Sequence, residues 1–104
     1  MKRDMDLVRL ILLRMEESTE GSRIDEHFEG FSASDVDNHI YLLRQAGLIE
    51  ASISETQGGI VAFPIRLTWQ GYEFLDNARD DTNWQKAKKF VTDKGGSLTF
   101  DVIK

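Results

Sequence analysis

The chain has 104 residues, 40% of them apolar and 30% charged, with a formal net charge of −5 and no cysteine. That balance suits one modest hydrophobic core, lies outside the disordered regime, and rules out a disulfide framework or a thiolate zinc site. Residues 18–67 carry eight acidic and three basic side chains, so the first two thirds are short of the cations that give non-specific DNA affinity.

The opening MKRDMDLVRLILLRMEE predicts a helix over residues 4–17. Met5, Leu7, Val8, Ile11, Leu12 and Met15 recur on one broad face, with Asp4 as N-cap. Acids interrupt its apolar run, which is too short to span a bilayer. The segment therefore reads as part of the mature protein, and a cytoplasmic location without a membrane partner is expected. Leu10 and Leu13 fall off the apolar face, among Asp6, Arg9 and Glu17. Unless left exposed, they need cover from a later helix or a second copy, which makes them the candidate homodimer interface.

Residues 22–31 (SRIDEHFEGF) predict a short strand or helical turn, with Ile24, Phe28 and Phe31 as its apolar groups. Ser32 or Ser34 caps a second helix that runs to about Ala46 and stops at Gly47, a left-handed C-cap. Its inner face is Val36, Ile40 and Leu43, flanked by His39 and Ala46. A hairpin is expected over 48–67, with strands Leu48–Ser54 and Ile60–Leu67 and turn chemistry from Glu55 to Gly59. Pro64 has no donor, which calls for an edge strand or a bulge. C-terminal helices fill 69–94. The first starts after Thr68 and carries Trp69, Tyr72, Phe74, Leu75 and Ala78. The second, capped by Asp80 or Asp81, runs from about Thr82 to Lys94 and stops at Gly95-Gly96. The whole reads as a single domain, 1–104.

Helix, short element, helix, hairpin and further helices is the order of a winged helix-turn-helix. "VDNHIYLLRQAGLIEA" resembles the recognition helix and first wing strand of small bacterial winged-helix regulators, and "IRLTWQGYEFL" their second wing strand and following helix. The chain as a whole resembles a family of short bacterial and phage proteins of unknown function. Its members share the MKRDMDLVR-type start, the LTWQGYEFLDNARDDTNW-type centre and the GGSLTFDVIK-type end. The resemblance implies an α+β, mainly helical winged helix-turn-helix with a two-stranded wing and C-terminal helices, of phage or prophage type. Such relatives often run on into another helix.

Catalytic chemistry is thinly represented. Asp35 and His39 share a helix face at i, i+4, but a histidine beside the core with a surface acid nearby explains the pair more simply. His27 has no second imidazole at ligand spacing, and neither Gly58-Gly59 nor Gly95-Gly96 is followed by the lysine of a phosphate loop. The chain is read as a non-enzyme without metal or cofactor. Trp69, Tyr72, Phe74, Trp84 and Phe90 read as a C-terminal hydrophobic core, and Lys86, Lys88 and Lys89 as a solvated helix face.

The candidate binding surface is the outward stripe of the second helix: Ser34, Asn38, Tyr41 and Gln45, with Arg44. Amides there can read adenine, and hydroxyls can bind phosphate. Asp35 and Asp37 sit where base contacts are usually made, and the wing tip SETQGG offers no cation. Two functions follow: a DNA-associated transcriptional regulator acting as a homodimer, or a protein-interaction module using this stripe or the Leu10/Leu13 side.

Overall fold

A computed structural model of the chain describes residues 1–18 and 24–86. Expectations for the second C-terminal helix beyond residue 86, its Gly95-Gly96 stop, Phe90, Lys88, Lys89 and the tail lie outside the described residues. The architecture is α+β. In chain order it has α1 (Met5–Glu17), α2 (Ala33–Gln45), β1 (Ile49–Thr56), β2 (Gly59–Leu67) and α3 (Trp69–Ala78), and residues 81–86 are again helical.

Each helix starts on a side-chain cap. Asp4 accepts from the Asp6 and Leu7 amides, Ser32 from Asp35, Thr68 from Gly71, and Asp80 from Asn83. Between the two expected caps for α2, Ser32 holds the position. Its C-terminus closes as a Schellman motif: Gly47 has φ +77°, its N–H reaches the Arg44 carbonyl, and the Leu48 N–H reaches that of Leu43. That closure turns the chain so that Leu48 is buried and β1 begins at Ile49.

The two strands pair antiparallel around a two-residue turn, Gln57-Gly58. They are longer than the expected limits, because Glu55 and Thr56 pair with Ile60 and Gly59 instead of forming loop. The bulge falls beside Pro64. Glu50 pairs with Arg66 and Ala51 with Pro64, which leaves Ile65 as the extra residue on β2, 42% exposed.

Residues 24–28 adopt neither the expected strand nor a helical turn, and a simple turn follows at 29–30. Arg14 explains why no regular structure is needed. Its guanidinium donates to the carbonyls of Asp25 (2.9 Å) and His27 (2.5 Å) and lies 3.9 Å from the Phe28 ring centroid. Side-chain donors satisfy the loop backbone while Ile24 and Phe28 enter the core.

The core gathers Leu7, Val8, Ile11, Leu12 and Met15 of α1, Val36, Ile40 and Leu43 of α2, Ile49, Ala62 and Leu67 of the hairpin, and Phe74, Leu75 and Ala78 of α3. Trp84 closes it, 1% exposed, with its ring edge-on to Phe74 at 6.5 Å and its Nε1–H donating to Asp6 at 2.7 Å. The polar side of α1 is therefore partly covered within the chain. Arg9 donates to the carbonyls of Ala78 and Arg79 and to Asp81. Leu13 packs half-buried against the core, while Leu10 stays 40% exposed.

The reading of one C-terminal aromatic core needs correction. Phe74 and Trp84 are in it, but Trp69 is 76% and Tyr72 46% exposed. The buried stripe of α3 is Gly71, Phe74, Leu75 and Ala78, and residues 69 and 72 lie on the opposite side at 100° per residue.

Candidate functional site

Three anchors fix how α2 presents its outer stripe. Val36, Ile40 and Leu43 bury its inner face. His39, 1% exposed, joins it to the start of α1, because the Asp4 N–H donates to Nε2 at 2.8 Å while Nδ1 meets the Asp35 carbonyl at 2.7 Å. In this geometry Nε2 accepts from the amide and Nδ1 faces the carbonyl acceptor. The third anchor is Asp37, whose Oδ1 accepts from the Ala62 N–H of β2 at 3.3 Å.

These contacts reassign residues that had been weighed for chemistry. Asp35 and His39 do meet across one helix turn, but through the Asp35 backbone carbonyl. Both ring nitrogens of His39 are engaged with backbone, which leaves none to hold a ligand or relay a proton. Asp37 is half-buried and turned to the hairpin. The Asp80-Asp81 pair divides its work: Asp80 caps the last described helix and Asp81 pairs with Arg9 at 2.6 Å. Among the described residues, no group of three or more His, Asp or Glu side chains is placed to hold a metal ion.

Ser34, Asn38, Tyr41 and Gln45 fall on one side of α2 at 100° per residue, with Arg44 on its flank. Ser34, Arg44 and Gln45 are exposed, and Asn38 and Tyr41 are half-buried on the same face. Asn38 is partly occupied, since its Nδ2 donates to the Ser34 carbonyl at 2.8 Å. Reading adenine takes both the donor and the acceptor of an amide, so Asn38 would have to give up this bond first.

Acidic residues flank the N-terminal end of the stripe. Asp35 occupies the first turn of α2, where the helix dipole favours it, and exposed Glu29 precedes it. Arg66 of β2 pairs with Glu50 at 3.1 Å. The wing tip from Glu55 to Gly58 is exposed and holds no cation. Arg9, Arg14 and Arg79 are engaged in contacts within the chain, the 43%-exposed Arg79 as a bidentate partner of Glu16 at 2.6 and 2.8 Å. That pairing holds the Glu16 carboxyl below its usual 4.5, chiefly through the hydrogen bond from Arg79. Among the described residues no helix is long and apolar enough to cross a membrane.

Sequence reasoning missed the hairpin anchor of α2 and the outward aromatics of α3. The Asp37–Ala62 contact leaves no local signal, because it joins residues 25 positions apart. The outward aromatics of α3 did leave one: their helical phase sets them against Phe74 and Ala78.

Comparison with known proteins gives a consistent result. Residues 2–97 match a family described as "Hypothetical protein (DUF2513)". A protein of Haemophilus influenzae described as "Uncharacterized protein" is 42% identical over 106 residues, spanning 100% of this chain and 90% of that protein. No solved structure matches.

Proposed function

This chain belongs to the DUF2513 family of hypothetical proteins, and for it we propose a binding function without catalysis: docking of a protein partner on a winged-helix-like fold. In this reading α2 takes the recognition-helix position, β1 and β2 form the wing, and Ser34, Tyr41, Arg44 and Gln45 make the contacts, with Asn38 at the rim of its own helix bond. The observation that carries it is the arrangement of charge. Asp35 and Glu29 lie at the N-terminal end of the stripe, Arg66 is paired with Glu50, and the wing tip holds no cation. Such a face attracts phosphate weakly, yet offers hydrogen-bonding and aromatic groups suited to a protein surface.

The second reading is a DNA-associated regulator. The exposure of Arg44, Gln45 and Ser34 on a helix followed directly by a hairpin favours it. It needs a homodimer to gather enough phosphate contacts, and exposed Leu10 is the candidate contact, Leu13 being packed against the chain's own core.

Affinity capture from cells expressing the protein, with and without nuclease, separates the two. Proteins retained after nuclease by the wild type but lost from a Tyr41→Ala, Gln45→Ala variant support docking. Recovery only with intact nucleic acid overturns it in favour of the regulator.

A further inference from the structure

The outer face of α3 is built differently from the rest of the surface. Trp69, Tyr72, Glu73 and Asp76 recur at helical spacing opposite the buried stripe, and all four are exposed. Trp69 has 76% of its surface in solvent, more than any other large hydrophobic side chain among the described residues. Its Nε1–H donates to Glu73 Oε1 at 2.9 Å, which holds the indole along the helix with its ring open and a carboxylate at its edge. Residues 69–81 contain four acids and one base, Arg79, which already serves Glu16 and Asp76.

The chemistry of this face selects its occupant. An indole and a phenol one turn apart attract apolar side chains, and an indole beside a carboxylate is a receptor for a cation, through the ring quadrupole and the formal charge together. The same acids repel nucleic acid and anionic lipid. We propose that the outer face of α3, centred on Trp69 and Tyr72, docks a lysine- or arginine-bearing amphipathic segment of a partner protein. A cation lies over Trp69 and pairs with Glu73, while the segment's apolar side chains cover Tyr72. This surface is on a different element from the α2 stripe, and the proposal holds whichever macromolecule meets that stripe.

The two indole N–H resonances of the full-length protein report on it directly, because Trp84 is buried and Trp69 is not. A Trp69→Phe variant assigns them. Titration with a short amphipathic peptide of lysine and leucine is expected to move the Trp69 resonance saturably and leave that of Trp84 in place. Its counterpart with glutamate for lysine is expected to move neither. Trp69→Ala with Tyr72→Ala should weaken binding by about tenfold or more, the scale of a hot-spot aromatic. Glu73→Gln with Asp76→Asn should weaken it and flatten its salt dependence, whereas Tyr41→Ala should change nothing. The proposal is overturned if the lysine peptide moves neither resonance or both peptides act alike. It also fails if Tyr41→Ala abolishes binding, if the shift follows protein concentration alone (a second copy), or if duplex DNA produces it.

Discussion

Gly71 shows how one residue can set the approach of a helix. A Cβ built there would collide with the Leu48 carbonyl oxygen, and the Thr68 N–H already donates to that oxygen at 3.0 Å. Thr68 Oγ1 also reaches the Gly47 carbonyl at 2.6 Å, so α3 is seated on the turn that closes α2. In an exposed helix interior, glycine to alanine would gain up to about 1 kcal/mol. Here the obstacle is backbone, and Gly71→Ala is expected to lower stability by about 1–3 kcal/mol, read from the urea midpoint at unchanged slope. A variant as stable as the wild type would show that α3 can lift without cost. The Glu16–Arg79 pair makes a prediction in pH. The carboxyl pKa is lower folded than unfolded, so the stabilisation is complete above the unfolded value near 4.5 and disappears as pH falls through the folded value. Glu16→Gln should therefore be less stable than the wild type at neutral pH, with the gap closing in strong acid. A gap independent of pH would rule the pair out as its source.

Among the elements, caps and periodicity made the helices legible and left the connections obscure. Asp4, Thr68 and the Gly47 stop could be read because each acts on backbone within a few residues. Pro64, lacking a donor, called for an edge strand or a bulge, and the register shift beside it is the bulge. The 24–28 segment could not be read this way, since its carbonyls are satisfied by Arg14 from another element and no local pattern encodes that. The outer stripe of α2 could be traced from its helical spacing, with Asn38 and Tyr41 half-buried in it, whereas the use of Asp37 on Ala62 and of His39 Nε2 on the Asp4 amide depends on tertiary approach. Arg9 belongs to the same class. Its side chain is 12% exposed and it supplies donors to the carbonyls of Ala78 and Arg79 at the end of α3. Arg9→Met keeps much of the apolar stem but leaves those acceptors without a charged donor, and should cost about 1.5–3 kcal/mol. Hydrogen exchange should rise first in the last turn of α3 and in residues 81–86. Unchanged exchange there would mean that water replaces the guanidinium.

For the whole molecule, the balance between its two functional readings is electrostatic. A net charge of −5 does not forbid DNA binding, but the cations must then be gathered where phosphates lie. Among the described residues, Arg9, Arg14 and Arg79 are engaged in contacts within the chain and Arg66 is set against Glu50. Arg44 remains exposed on the stripe. Because Asp37 supports the hairpin, Asp35→Asn alone is the clean way to lighten the acidic flank. The decisive measurement is an amide-resolved NMR titration of the full chain with random-sequence duplex DNA at low salt. Docking of a protein partner predicts that the resonances of Ser34, Asn38, Tyr41, Arg44 and Gln45 stay in place at DNA concentrations of about 10⁻⁴ M, the weak end of ordinary non-specific binding. Asp35→Asn should not change that. Saturable displacement of those resonances that falls steeply with salt and vanishes in Arg44→Ala would contradict the account and make α2 a reader of DNA.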